Sequence, residues 1–285
     1  MIKFFKYFCE ALIIYIFLLL GKILGLTLAR KVFSFIFTKI GPIVRPNKLV
    51  EKNIDYYSQE FSHLEKREFI QKMWSNYGMT FIEYVFLSKF RKDDKFVEIS
   101  GKKLLEEIKQ NGKPVIFVSG HFANFEIMTI EITKKNFKLA TIYRPLNNIF
   151  LNPFMVFLRK KFICKNQIKK GLSGVRETMN YIKRGFNIAL MIDQRVSEGE
   201  KIELFGKAAL TTTLPAQLAI KYNLNIIPVF IKRLKDNRFK IEFKNPIKNI
   251  NYKNKYDLTK KLNQELEKMI VDNPEQWIWT HNRWK

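Results

Sequence analysis

Apolar residues along the chain occur in two patterns, as short continuous runs and as longer segments with helical spacing. The run from 114 to 119 is the clearest of the first kind, and Gly120 follows it as a turn residue. From 123 to 135 the apolar residues recur mostly at helical intervals. This order predicts a buried strand, a tight turn and a helix.

The same succession of strand and helix recurs along the chain. Further apolar runs begin at 138, 186 and 225, and RFKIEFK, at 238–244, can pair with the last of them across a turn. Helical spacing is found at 62–90, 150–162 and 214–222. Strands that alternate with helices predict an α/β fold with a largely parallel or mixed central sheet flanked by helices.

Two of the predicted helices carry chemical signals at their starts. Ser62 and Glu65 have the spacing of a capping box, in which side chain and backbone groups satisfy each other. Among the threonines at 211–213, one is expected to cap the helix at 214–222, with Pro215 in its first turn.

The amino-terminal segment is long and apolar enough to interact with a membrane. Residues 11–29 form a run of nineteen residues whose only charge is Lys22, and roughly 20 are needed to cross a bilayer core as a helix. The helix can span with Lys22 at the interface or lie half-submerged. A cleavable signal peptide is the competing interpretation, but no small-residue cleavage site ends the run, and 30–42 is again basic and apolar.

The chain is therefore divided into two parts. We expect a hydrophobic membrane-anchoring helix within residues 1–45 and a catalytic domain at 46–285, because no linker rich in Gly, Ser or Pro divides the remainder. Arg30, Lys31 and Lys39 outnumber the two lysines on the amino-terminal side of the run. By the positive-inside rule, the catalytic domain is predicted to stay on the cytoplasmic side.

The charge of the chain restricts its partners. Lysine and arginine number 51 against 26 aspartate and glutamate residues, for a formal net charge of +25. Such a surface attracts nucleic acid, anionic lipid head groups or an acidic protein, although a lysine-rich proteome would also produce it. Cys9 and Cys164 are too few and too isolated for a disulfide framework, which fits a reducing compartment.

His121, one of three histidines in the chain, stands in the turn between the first predicted strand and its helix. Glu126 follows five residues later and can reach the imidazole if it lies in the first helical turn. Arg144 and Asp193 similarly follow the next two apolar runs. The carboxyl ends of parallel strands share one edge of a sheet, where α/β proteins bind ligands. We therefore expect these residues to converge in an active site.

Several other chemistries lack their motifs. The three histidines are more than fifty residues apart, with no partnering cysteine, so no metal site is predicted. There is no G-x-S-x-G elbow around Ser119, and the segment 171–177 matches neither a Walker loop nor a dinucleotide loop. A histidine that deprotonates a hydroxyl of the substrate remains.

The motif GHFANFE, at 120–126, resembles the H-x4-D/E motif of the glycerolipid and lysophospholipid acyltransferase superfamily. YRPLNN, DQRVSEG and LFGKAALTTTLPAQLA follow in the order typical of the bacterial lipid A biosynthesis acyltransferases, which add secondary lauroyl or myristoyl chains. MWSNYGMTFIEY and the carboxyl-terminal NPEQWIWTHNRWK also resemble that family. The resemblance covers nearly the whole chain and implies an acyltransferase of the bacterial inner membrane.

The resemblance implies roles for four catalytic residues. His121 would be the general base that takes the proton of an acceptor hydroxyl as it attacks an acyl thioester, and Glu126 would fix the imidazole tautomer. The additional arginine and aspartate of the family correspond to Arg159 and Asp193. Cys164 has no histidine near it in sequence, so we expect direct transfer without an acyl-enzyme, a metal or a cofactor.

Substrate contacts are predicted around these residues. Arg144 is expected to bind a phosphate of the glycolipid acceptor. Further candidates for substrate contact are Asn124, Gln194, Arg195 and Lys207. His281, among three tryptophans, is predicted to be structural, in a docked carboxyl-terminal strand.

The expected partners are an acidic acyl carrier protein as donor, with acyl-coenzyme A as a second possibility, a lipid A precursor as acceptor, and anionic inner-membrane lipids. An acceptor such as a lysophospholipid, a phosphatidylinositol mannoside or an aminolipid stays open. A non-enzymatic nucleic-acid-binding protein is a further alternative, but we expect no nucleic acid, because the aromatic residues mostly follow buried periodicity.

Overall fold

A seven-stranded sheet forms the centre of the protein in a computed structural model, which describes residues 2–45 and 47–285. The strands are β1 (Val97–Ser100), β2 (Ile116–Ser119), β3 (Leu139–Tyr143), β4 (Asn166–Lys169), β5 (Asn187–Met191), β6 (Glu200–Leu204), β7 (Lys207–Thr211), β8 (Ile226–Arg233) and β9 (Phe239–Phe243). The order in the sheet is β1-β9-β8-β2-β5-β3-β4, and β6 and β7 form a separate antiparallel hairpin.

Ten α-helices surround the strands in the part of the chain that the structure describes. They are α1 (Ile2–Val44), α2 (Lys48–Tyr57), α3 (His63–Glu83), α4 (Leu87–Lys92), α5 (Lys102–Asn111), α6 (Glu126–Lys134), α7 (Asn152–Leu158), α8 (Leu172–Lys183), α9 (Leu214–Tyr222) and α10 (Lys255–Asp272). A π-helical turn, Arg159–Ile163, extends α7.

The sheet is mixed but largely parallel, as predicted. The strands β8, β2, β5, β3 and β4 run in one direction. β9 is antiparallel to β8, with Arg233 opposite Phe239, and β1 is parallel to β9. The predicted pairing of RFKIEFK with the preceding strand is therefore confirmed.

The central strand β2 is buried on both faces, which explains why it is a continuous apolar run. Ile116 and Val118 pack in a cluster with residues of α8 and α9, whereas Phe117 packs in a cluster with residues of α3 and α6. All four residues of β2 are at most 1% exposed. Because helices cover both faces, alternation of apolar and polar residues is absent from this strand.

Most of the predicted helices form close to their expected positions. The capping box of α3 is present, with Ser62 N–H donating to Glu65 Oε2 at 2.8 Å. The helix predicted at 62–90 ends at Glu83 and is followed by a 3₁₀ turn and α4. α9 begins at Leu214, whose N–H donates to the hydroxyl of Thr212, while the side chain of Thr213 makes no capping bond.

Helix α1 consists of two parts, and each of them buries one face against the protein and exposes apolar side chains on another. Gly25 interrupts it with a φ of 73°, a conformation that glycine adopts at little steric cost. Before Gly25 many apolar side chains are exposed, Leu19 by 63% and Ile23 by 73%. After Gly25 the helix packs along α3, where Gly78 permits a close approach because a Cβ there would overlap the carbonyl of Phe33.

In the described ranges, α1 is the one helix that is long and apolar enough to cross a membrane. The predicted division into residues 1–45 and 46–285 stays a prediction, and Met1 and Pro46 lie outside the described residues. Residues on both sides of Gly25, among them Leu18 and Phe33, belong to the same hydrophobic core as α3.

Candidate active site

A cavity of about 440 Å³ opens at the carboxyl ends of β2, β3 and β5. The predicted site residues that line it are His121, Glu126, Arg144, Arg159, Gln194 and Arg195. The three strands end side by side because they are parallel and adjacent. The predicted convergence of polar residues at this edge is therefore present in the fold.

His121 and Asp193 are brought together by the register of β2 and β5. Ser119 lies opposite Met191, and two residues further along each strand stand His121 and Asp193. The imidazole Nδ1 is 2.8 Å from Asp193 Oδ1, and the backbone N–H of His121 donates to Oδ2 at 2.7 Å. A carboxylate at Nδ1 favours the tautomer that carries its proton there, which leaves Nε2 able to accept one.

Asp193 is completely buried yet stays a carboxylate. Burial by itself would raise its pKa, but the neighbouring His121 and the hydrogen bonds from His121 and Trp277 outweigh burial and hold the pKa below its usual value. The indole Nε1 of Trp277 donates to Oδ2 at 2.8 Å. Three donors thus compensate the buried charge.

The loop between β2 and α6 is held in a strained conformation. A Cβ at Gly120 would lie 2.7 Å from the ring of Phe122 and 3.2 Å from Asp193 Oδ2, so the loop can approach the carboxylate only with glycine there. Ala123 has a left-handed φ of 44°, which costs a non-glycine residue energy. Its N–H donates to the carbonyl of Gln276, and its carbonyl accepts from Thr80.

Glu126 pairs with Arg159 rather than with the imidazole. Arg159 Nε and Nη2 lie 2.8 and 2.7 Å from Glu126 Oε1, and the Tyr84 hydroxyl donates to the same oxygen at 3.0 Å. Burial would lower the pKa of Arg159, but the charges and hydrogen bonds of Glu126 and Tyr84 together outweigh burial and raise that pKa. Burial and the same carboxylate raise the pKa of Tyr84.

The predicted orientation of His121 by Glu126 is therefore corrected. No hydrogen bond joins the two side chains within the described part of the chain, and Asp193 occupies the position at Nδ1 instead. The physical reason is that Glu126 is the first residue of α6 and turns toward Tyr84 and Arg159, whereas the end of β5 lies directly beside the end of β2.

Asn124 does not line the cavity, which corrects its prediction as a substrate contact. It is completely buried, and its amide donates to Glu83 Oε2 at 3.0 Å. Glu83 also pairs with the buried guanidinium groups of Arg30 and Arg233. Burial would raise the pKa of Glu83, but the two arginines lower it. The loop between β2 and α6 is thus tied to a buried ion cluster that includes Arg30 of α1.

Lys207 is also absent from the cavity. It pairs with Leu204 beside the turn of the β6–β7 hairpin. The cavity borders Thr212, which follows the opposite end of β7. Lys207 therefore lies away from the cavity, at the other end of the hairpin from Thr212, and its contact with a phosphate stays a prediction.

The carboxyl-terminal tail, residues 274–285, packs against the loops of the site, which sequence reasoning did not predict beyond a docked strand. It is a series of turns rather than a strand. Besides Trp277, it contributes His281, whose Nε2 accepts the backbone N–H of Arg195 at 2.8 Å. Burial lowers the pKa of His281 to about 4, so it is a neutral acceptor.

The same tail is also joined to the end of β7. Arg283 donates to the hydroxyl of Thr211 and to the carbonyl of Leu210.

The His121 imidazole, on the wall of the cavity, is placed to transfer a proton to or from a bound molecule. His121 is partly exposed, and its ring packs edge-on against Phe125 with a centroid distance of 4.5 Å. An imidazole oriented at Nδ1 by a carboxylate can take a proton at Nε2 and be stabilised when charged. Arg159, on the wall of the same cavity, is a permanent cation that can interact with negative charge developing there.

A family model described as bacterial lipid A biosynthesis acyltransferase matches residues 2–285. The chain is 21% identical over 248 residues to the lipid A biosynthesis myristoyltransferase of Escherichia coli (strain K12), covering 85% of this chain and 75% of that protein. It is 22% identical over 251 residues to the lauroyltransferase of the same strain, covering 85% and 79%.

A third relative, the lipid A biosynthesis palmitoleoyltransferase of the same Escherichia coli strain, is 23% identical over 267 residues, covering 89% of this chain and 85% of the relative. Among solved structures, the 1-acyl-sn-glycerophosphate acyltransferase PlsC from Thermotoga maritima is similar, with 14% identity and a TM-score of 0.45. That likeness covers 87% of this chain and 99% of PlsC.

Proposed function

The chain belongs to the bacterial lipid A biosynthesis acyltransferase family and is an acyltransferase, and from this premise we propose that it transfers a fatty acyl chain from an acyl-carrier-protein thioester to a hydroxyl of a lipid A precursor. The observation that carries the proposal is that one cavity is lined by both the His121 imidazole, oriented by Asp193, and the guanidinium of Arg159.

The transfer balances without a covalent enzyme intermediate. The acceptor oxygen attacks the thioester carbonyl carbon while His121 Nε2 takes the hydroxyl proton. The tetrahedral intermediate then collapses, the carbon–sulfur bond breaks, and the departing thiolate receives the proton from the imidazolium. Asp193 stabilises the imidazolium, and Arg159 stabilises the negative charge on the carbonyl oxygen.

Direct transfer is supported by the position of Cys164. This residue does not line the cavity, and its thiol donates to the carbonyl of Leu139 at 3.2 Å. Burial raises the pKa of the thiol, which disfavours the nucleophilic thiolate. His121 is therefore assigned as a base for the acceptor hydroxyl and not as the activator of a protein nucleophile.

The acceptor and donor are assigned by charge. Arg144, Gln194 and Arg195 line the cavity and are suited to the phosphates of a lipid A precursor. An acyl carrier protein is acidic, and a net charge of +25 favours its approach. Lys207 does not line the cavity and could reach only a part of the substrate that lies outside it.

The apolar helix α1 supports a location at the membrane. Its apolar part before Gly25 is proposed to anchor the protein in the bacterial inner membrane, with the catalytic domain on the cytoplasmic side. The lipid acceptor and the soluble donor would then meet at the membrane surface.

The test is an acylation assay with the detergent-purified protein and its His121→Ala variant. Lauroyl and myristoyl carrier protein, and the matching coenzyme A thioesters, are each offered with a tetra-acylated lipid A precursor bearing Kdo, and the product mass is read. We expect a gain of one acyl chain with the carrier-protein donors, absent from the variant. Transfer to a lysophospholipid instead would overturn the acceptor, and preference for coenzyme A would overturn the donor.

A further inference from the structure

The segment of residues 144–161, here called the lip, borders the active-site cavity and exposes apolar side chains. Leu146 lines the cavity and is 40% exposed. Ile149 is 55% exposed and Phe157 is 52% exposed. Exposed aliphatic and aromatic side chains beside a cavity mouth are typical of surfaces that contact lipid or another protein.

The lip is attached to the apolar part of α1. The amide of Asn148 donates to the carbonyl of Tyr7 at 2.8 Å, and the hydroxyl of Tyr15 donates to the carbonyl of Phe150 at 2.8 Å. The ring of Phe150 packs edge-on against Phe4, with a centroid distance of 5.0 Å. If α1 enters a membrane, these contacts place the lip at the surface of that membrane.

In the sequence, the lip and the residues that flank it carry only positive charges. Residues 132–176 contain eleven lysine and arginine residues and no aspartate or glutamate. Six of these basic residues are exposed and lie in the lip or in the nine residues that follow it: Arg144, Lys160, Lys161, Lys165, Lys169 and Lys170. In the fold, Glu10 contacts Asn148 and Glu126 contacts Arg159. Exposed apolar side chains surrounded by cations are suited to an anionic bilayer. The apolar side chains can insert among the acyl chains, and the cations can bind the negatively charged head groups. The attachment of the lip to α1, a helix apolar enough to cross a membrane, favours a bilayer over an acidic protein as its partner.

We propose that the lip is a second membrane contact, which inserts into an anionic leaflet beside α1 and opens the cavity mouth to lipid. The acceptor then enters from the membrane past Leu146 and Asn147, both of which line the cavity, without first dissolving in water. This inference rests on the proposed function in one respect, that the acceptor is a membrane lipid.

The first test measures insertion and needs no activity. Phe157→Trp and Ile250→Trp are compared in vesicles of phosphatidylglycerol and brominated phosphatidylethanolamine. Ile250 is the matched control because it is 82% exposed and lies far from the lip. It follows Ile247, which pairs with Ile226 at the amino end of β8, whereas the cavity lies at the carboxyl ends of the parallel strands. We expect bromine to quench the emission added by Phe157→Trp and not that added by Ile250→Trp. Equal quenching, or none at residue 157 in vesicle-bound protein, overturns the proposal.

The second test measures use of the surface in catalysis. The pair Ile149→Asp and Phe157→Asp is expected to raise the apparent KM for acceptor in anionic vesicles by about tenfold or more, while turnover in detergent micelles stays near that of the unmodified protein. Ile250→Asp should change neither. A raised KM for acyl carrier protein, without quenching at residue 157, would assign the lip to the donor and overturn the proposal. Quenching at residue 157 without any acylation activity would contradict the proposed function but support the membrane contact.

Discussion

The indole Nε1 of Trp277 donates a 2.8 Å hydrogen bond to Asp193 Oδ2, and the other oxygen of that carboxylate binds the imidazole of His121. The tryptophan and the aspartate are separated by 84 positions in the sequence. The carboxyl-terminal tail thus reaches the pair that we assign to proton transfer, and Trp277 acts on the reaction through Asp193 and not by touching the substrate.

Trp277→Phe is expected to lower kcat by about tenfold, with KM little changed, because the variant keeps an aromatic ring but removes a donor to a buried carboxylate. Loss of that donor raises the pKa of Asp193, so the acidic limb of the pH profile of kcat/KM should move to higher pH. Trp284→Phe is the control, since it removes a hydrogen bond from the same tail to the carbonyl of Leu204. A pH profile that is identical in both variants would show that Trp277 only packs.

Asp193→Asn should be more damaging than Glu126→Gln. An amide at residue 193 cannot stabilise the imidazolium as a carboxylate does, and loss of the equivalent carboxylate in other histidine-based enzymes costs roughly 10⁴-fold in kcat. Glu126→Gln acts through Arg159, and we expect a loss of about tenfold. Steady-state kinetics of both variants distinguishes the two assignments. Greater damage from Glu126→Gln would restore Glu126 as the partner of the imidazole.

Glu83→Gln should destabilise the fold, because it leaves Arg30 and Arg233 buried without a compensating charge. Breaking a buried ion pair by removing one partner costs about 3–5 kcal/mol, and Glu83 is completely buried. Thermal unfolding in detergent is expected to show a clear fall in Tm. Glu68→Gln, exposed on the same helix, is the control and should leave Tm unchanged. An equal Tm in both variants would contradict a stabilising role for the cluster.

His281 should make stability depend on pH between about 4 and 6.5. The pKa of its side chain falls from 6.5 to about 4 on folding, so in this window the unfolded state binds a proton that the folded state does not. Stability therefore falls as pH falls through the window. His281→Gln keeps an acceptor for the Arg195 N–H but does not titrate, so its Tm should depend less on pH. His63→Gln is the control for loss of a histidine. If Tm changed with pH equally in His281→Gln and in the unmodified protein, the prediction would be wrong.

Parts of the fold that rest on local pattern could be predicted from the sequence. Continuous apolar runs identify β2, β3, β5 and β8 because these strands are buried within the sheet. The strands β1 and β4 lie at the two edges, where VEIS and NQIK alternate in burial or are largely polar, so no apolar run marks them. The role of Asn124 could not be predicted either, because the local sequence does not show whether its amide is buried or contacts the substrate.

By itself the sequence determined the α/β class, the apolar helix at the amino terminus, the family, and the edge of the sheet at which His121, Arg144 and Asp193 gather. These depend on periodicity, on composition and on the rule that parallel strands end together. Only the tertiary structure decided that Asp193, and not Glu126, meets the imidazole, and that Trp277 completes the pair. The physical reason is that strand register and the docking of a tail are set by packing between segments far apart in the chain, which no local pattern records.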